Sequence, residues 1–254
     1  MKKTILKLEG VSKRFGVVQA LSHINLEVRT GEVMALVGDN GAGKSTLIKG
    51  IAGIHPFSKG KIYYKGQPVK INRPRDSSAL GIEVVYQDLA LADNLDVVAN
   101  MFLGREMVQT PWRIDEASME KACLATLEAL SVMTIHSVRQ PVATLSGGQR
   151  QAIAVAKAVM WNSEVVILDE PTAALGVAQT HQVLELIKRL ADKGLAIVLI
   201  SHNLQNIFEV ANRIVVLRLG QKVGEYIAAE TSQQEVIQAI TTGRIPRMTV
   251  QNGN

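Results

Sequence analysis

The sequence predicts an α/β protein with a doubly wound parallel sheet, an antiparallel β subdomain at its beginning and an α-helical subdomain inserted in its middle. Three patterns point there. Residues 165–168, 196–200 and 214–217 are short, nearly unbroken β-branched or aliphatic runs, the composition of parallel strands covered on both faces. Residues 4–36 instead alternate apolar and polar side chains, as in Leu6, Leu8 and Val11, then Ile24, Leu26 and Val28. That is the period of strands with one wet face. Residues 89–160 change to helical segments rich in Ala, Leu and Met.

Taken in order, the strands of 4–36 turn at Thr30-Gly31 and flank a glycine-rich loop at 38–46, followed by a helix ending near Gly53. Residues 61–64 and 69–71 add short strands around the Lys65-Gly66 turn, and 82–85 is an apolar strand ending at Tyr86-Gln87. Gly104, Pro111 and Pro141 interrupt the helical segments. Residues 177–193 read as a helix stopped by Gly194. Strands alternating with helices argue for the doubly wound core. The 254 residues are thus one domain: a core of 1–88 and 161–254 around an inserted helical lobe, 89–160.

Bulk properties exclude several classes. No stretch approaches the roughly 18 consecutive apolar residues that cross a bilayer. Met1-Lys2-Lys3-Thr4 leads into an amphipathic stretch and not a secretory apolar core, so a cytoplasmic protein is expected. The net charge of +5 comes from scattered basic residues, and aromatics are few, which argues against a nucleic-acid partner. Cys123, the single cysteine, lies among alanines and leucines and reads as a buried, inert thiol.

The most specific signal is the run Gly38-Asp39-Asn40-Gly41-Ala42-Gly43-Lys44-Ser45-Thr46, which matches G-x-x-x-x-G-K-[ST] directly after the apolar stretch 33–37. Phosphate oxygens must be met by many converging backbone N–H groups, and Gly38, Gly41 and Gly43 let the main chain curl closely enough to provide them. The helix beginning near Lys44 aims its first N–H groups and positive dipole end at the same anion. Lys44 reaches the β- and γ-phosphates in this reading, and the Ser45 hydroxyl ligates Mg²⁺.

Residues 165–170 form an apolar strand ending in two acids. Asp169 is placed to hold Mg²⁺ through water, and Glu170, one residue further out, to orient and deprotonate an attacking water. A carboxylate at a strand end is equally a solvated capping acid; the phosphate loop upstream favours catalysis. Leu145-Ser146-Gly147-Gly148-Gln149, followed by helical residues 150–159, is a second glycine-opened helix start and a second anion site. Two phosphate sites with one lysine loop suggest that the second completes a nucleotide site on another subunit.

Gly38 to Thr46, Gln87, Leu145 to Gln149, Val165 to Glu170 and His202 stand in the order and spacing of the ATP-binding-cassette (ABC) ATPases, which the whole chain resembles. The resemblance implies a P-loop NTPase (RecA-like) core with ATP and Mg²⁺ as ligands. It implies that Phe15 stacks on adenine, and that Gln87 senses Mg²⁺ and the γ-phosphate while linking core to helical lobe. It also implies that His202 contacts the γ-phosphate. Ser146, Gly147, Gly148 and Gln149 would then grip the γ-phosphate held by the partner's Lys44 loop, with two ATP molecules buried between head-to-tail cassettes. His23, His55, His136 and His181 are read as ordinary surface histidines. One position departs from the family pattern: Gly176 stands where an aspartate usually crosses to the partner, which puts coupling between the two sites in question.

Residues 170–176, 100–106 and the ending 237–243 resemble the sugar-import ATPases of the ribose, xylose and fructose class. That class implies a homodimer or a pairing with a sibling cassette, transmembrane permease subunits, and indirectly an extracytoplasmic sugar-binding protein. It places the chain peripherally on the cytoplasmic face of the inner membrane. The short tail after about Gly224 leaves no room for the regulatory domain of maltose-type ATPases. The rival is a soluble cassette ATPase in iron–sulfur assembly, translation or DNA repair. Repair cassettes carry long coiled-coil insertions and translation cassettes are usually doubled; neither feature is present. A regulator without turnover is disfavoured by Lys44, Asp169, Glu170 and His202 together.

Overall fold

A computed structural model of the protein describes residues 2–110 and 113–243; Met1 and Pro111, both used above, lie outside the described residues. The chain opens with β1 (Thr4–Phe15), β2 (Val18–Arg29), β3 (Glu32–Val37) and α1 (Lys44–Ile51), then β4 (Lys59–Tyr64), β5 (Gln67–Val69), α2 (Pro74–Ala79) and β6 (Ile82–Val85). α3 (Val97–Phe102), β7 (Val108–Thr110), β8 (Arg113–Ile114), α4 (Glu116–Ala129) and α5 (Gly147–Met160) follow. Last come β9 (Val165–Asp169), α6 (Val177–Asp192), β10 (Ala196–Ile200), α7 (Leu204–Val210), β11 (Arg213–Arg218), β12 (Gln221–Ile227) and α8 (Gln233–Thr242).

Two sheets organise these elements. One has the order β12-β11-β3-β10-β9-β6, parallel throughout except for β12 at its edge. The other is antiparallel, β2-β1-β4-β5. The parallel strands alternate between two cores: Val166 and Leu168 of β9 pack with α5 and α6 side chains such as Ile153 and Leu186. Val165 and Ile167 face the antiparallel sheet and α1, among Leu6, Leu26 and Ile48. Covering on both faces is why these strands carry unbroken apolar runs. A third, smaller core beneath α7 and α8 holds Ala35, Val37 and Val216 against Ile207 and Val236.

Two expectations fail locally. Residues 108–114, expected within a helical lobe, contain the two-stranded antiparallel ladder β7–β8, whose described residues are all exposed. Exposed as they are, these described residues bury no face of a helix. Residues 69–71, expected as a strand, pair only through Val69, opposite Ile62; Ile71 is buried beyond the ladder's end.

Candidate nucleotide site

β3 delivers the chain into the phosphate loop at Gly38, where backbone strands crowd together. A Cβ at Gly38 would stand 2.2 Å from the Leu217 carbonyl oxygen and 2.9 Å from Ala42 Cβ, so only glycine passes. α1 starts from Gly43 in the left-handed conformation, with no side chain capping its first turn. The N–H groups of Lys44, Ser45 and Thr46 therefore have no intrahelical partner and face outward with the dipole. The β11–β12 turn braces the loop: Gly220 N–H donates to Ala42 O (3.0 Å) and Ser22 N–H donates to Gly220 O (2.8 Å). The Lys44 ammonium lies over its own loop, donating to Gly38 O at 2.6 Å and Asp39 O at 3.1 Å.

A cavity of about 650 Å³ opens on this loop, and residues 40–46, Gln87, Asp169, Glu170 and His202 all line it. Parallel pairing produces the convergence. β9 and β10 run side by side with Asp169 opposite Ile200, so residues just past each strand end meet at one rim. Glu170 has φ 53°, an uncommon left-handed conformation for a non-glycine residue, and its N–H donates to Ile200 O at 2.9 Å. The strand end turns sharply there and presents the carboxylate to the cavity. His202 Nδ1 lies 2.9 Å from Glu170 Oε2, and since a carboxylate only accepts, Nδ1–H is the donor of this pair. Burial pushes the Asp169 carboxyl above the usual aspartate range, with Glu170 adding repulsion and Lys44 and Lys49 opposing it.

Phe15 does not join this group. It ends β1 outside the cavity lining, with its ring edge-on to His55 (5.4 Å between centroids) and the Lys13 ammonium 5.0 Å above it. The wall beside the phosphate loop is made instead by Val18, Gln19, Ala20, Leu219 and Gly220. Sequence reasoning missed these residues because they come from the start of β2 and the β11–β12 turn, some 200 positions apart, and no local pattern marks either. Ser146, Gly147, Gly148 and Gln149 also lie outside the cavity. At the start of α5 they form a capping box: Ser146 Oγ accepts from Gln149 N–H (3.3 Å) and Gln149 Oε1 accepts from Ser146 N–H (2.8 Å). Cys123 is fully buried with its Sγ 3.3 Å from Met101 Sδ, and burial pushes its thiol up to about 12.

The site fits a nucleoside triphosphate with Mg²⁺. A loop of residues 40–46, a helix start without a side-chain cap, one ammonium group and two acids meet at one opening. This is the phosphate-loop α/β class of ATPase. The ABC transporter family profile matches residues 21–173. The chain is 44% identical over 248 residues to the fructose import ATP-binding protein FrcA of Rhizobium meliloti, covering 95% of each. It is 42% identical over 238 residues to the xylose/arabinose import ATP-binding protein XylG of Sulfolobus acidocaldarius, covering 94% of each. Among solved structures, the ADP conformation of MJ1267, an ATP-binding cassette of an ABC transporter, superposes with a TM-score of 0.81 at 26% identity, covering 96% of this chain and 97% of that one. The chain belongs to the ABC transporter family and is an ATPase of that family, with ATP and Mg²⁺ as its ligands.

Proposed function

We propose that this chain is the ATP-hydrolysing subunit of a monosaccharide importer, working as a pair of cassettes on the cytoplasmic face of the membrane beneath separate permease subunits. The observation that carries the reading is the convergence of the Lys44 loop, Gln87, Asp169, Glu170 and His202 on one cavity, while Ser146–Gln149 stand apart from it. A chain built this way needs a second copy, or a sibling, to bring a Ser146 segment to its nucleotide. The fructose and xylose/arabinose relatives, similar along nearly the whole chain, support sugar import. Among the described residues no helix is long and apolar enough to cross a membrane, which leaves translocation to partners.

Bound ATP with Mg²⁺ supplies the phosphoanhydride whose hydrolysis drives the cycle. Residues 40–46 hold the phosphates through backbone N–H groups and the Lys44 ammonium. Ser45 and Asp169 would hold the metal, which would offset charge on the phosphates, and Gln87 would sense it. Glu170 orients the attacking water and takes its proton, and His202 steadies that carboxylate through its Nδ1–H. Val18 and Leu219, both exposed at the cavity wall, offer apolar surface to the base. Residues 1–88 and 161–254 form the catalytic unit, and 89–160 the lobe that moves the permease. The external binding protein and the permease select the sugar.

Isolating the tagged protein from detergent-solubilised native membranes and identifying co-purifying chains by mass spectrometry tests this. A multi-span permease, with a sugar-binding protein recovered alongside, is the expected result. Recovery of soluble partners alone replaces importer with scaffold.

A further inference from the structure

The two glycines that open α5 face the start of α6 and the loop before it. A Cβ at Gly147 would stand 3.0 Å from Leu175 Cδ2, and one at Gly148 would stand 3.1 and 3.2 Å from Gln179 Cβ and Cγ. Gln179 makes a second contact from the same side chain: its Oε1 accepts the Gly176 N–H at 3.3 Å. Gly176 is the N-cap of α6 and has no side chain with which to fix that helix start. Leu175 also lines a cavity of about 360 Å³ that reaches Gln87, Gly147 and Glu170. One glutamine therefore joins the start of α5, the start of α6 and the loop that leaves Glu170.

We propose that Gln179 is a positioning residue for hydrolysis, locking residues 173–176 to the Gly147-Gly148 start of α5 so that both act on the partner's nucleotide as one rigid piece. Its aliphatic stem fills the space left by Gly148, and its amide oxygen holds Gly176 in place of a capping side chain. The proposal rests on the two-copy reading above, because a piece that never meets a second nucleotide has nothing to position. Gln179 does not line the cavity that holds Lys44 and Glu170, so its loss leaves ATP binding by one chain intact.

Three substitutions separate the contributions. Gln179→Glu keeps the length and an acceptor for Gly176 N–H, Gln179→Met keeps the bulk without the acceptor, and Gln179→Ala keeps neither. In steady-state hydrolysis, Gln179→Ala should lower kcat by about fivefold or more with KM for ATP nearly unchanged, the mark of an interaction used in the transition state. Gln179→Met should be impaired, and Gln179→Glu should restore the native rate. Wild-type kcat in Gln179→Ala overturns the proposal. So does a loss that Gln179→Glu shares or that follows the melting temperature. Ser146→Arg, assayed in parallel, separates the two readings: if it hydrolyses ATP normally the shared site itself is wrong, whereas an inactive Ser146→Arg beside an unaffected Gln179→Ala removes only the role of Gln179.

Discussion

His202 and Glu170 are joined by one hydrogen bond, Nδ1–H to Oε2 at 2.9 Å, across the ends of two neighbouring parallel strands. Their surroundings differ: the Glu170 side chain is 15% exposed and the His202 side chain 78%. The carboxylate is held from the sheet by a sharp turn at φ 53°, and the imidazole reaches it from the solvent side. The carboxylate is thus fixed on the core, and its hydrogen-bond partner stands on the exposed side of the pair.

Glu170→Gln keeps the shape and removes the proton acceptor. Hydrolysis should fall by about 10²–10⁴, while ATP affinity by equilibrium titration stays within a few-fold and the ATP-bound pair accumulates in size-exclusion chromatography. Normal turnover would remove Glu170 as the base. His202→Ala should cost less, about tenfold, since it leaves the Glu170 carboxylate itself in place.

Gly38→Ala places a methyl group 2.2 Å from the Leu217 carbonyl oxygen, which belongs to β11 and has no room to retreat. The strain of about 1–3 kcal/mol must displace the phosphate loop or the strand. Both ATP binding and the urea midpoint should drop. Native ATP affinity in the Gly38→Ala protein would show that this crowding is not rigid.

Arg213 anchors the edge of the large sheet from a buried position, 5% exposed. It donates to Glu32 through Nε (3.0 Å), to Glu225 (2.7 Å) and to Glu27 O (2.7 Å). Arg213→Met leaves Glu32, 3% exposed, without its cation and should cost about 3–5 kcal/mol in urea unfolding. Burial alone would raise Glu225, but bonds from Lys222 and Arg213 hold its carboxyl below the usual glutamate range. A depressed native value means stability present above the unfolded value and lost as pH falls through the native one. The deficit of Glu225→Gln should therefore be full at neutral pH and shrink as acid protonates the native Glu225.

Cys123, with its thiol pushed up to about 12 by burial and by the nearby Asp96 and Glu120 charges, should resist iodoacetamide at pH 8 in the native protein and react at once in urea. Rapid native labelling would mean that α4 opens away from Met101 on the labelling timescale.

The parts of the site that were legible in the sequence are those whose chemistry is local. Residues 38–46 work through consecutive backbone N–H groups, and Asp169-Glu170 through adjacent positions at a strand end, so their spacing alone announces them. The β7–β8 ladder was less legible because its described residues are exposed and bury no face that would impose a readable period. The contact of Phe15 with the ring of His55, 40 positions on, was not legible either, because no local pattern says which ring an aromatic at a strand end will meet.

By itself the sequence determined the phosphate cradle, the paired acids, the apolar runs of the parallel strands and membership of a nucleotide-hydrolysing class, because backbone geometry and strand burial act over a few residues. Only the tertiary structure decided which distant pieces meet: the 18–20 and 219–220 wall, His202 on Glu170, and Gln179 against Gly148. Those contacts depend on strand order and helix packing between residues far apart in the chain, and no periodicity within one segment records which other segment will be laid beside it.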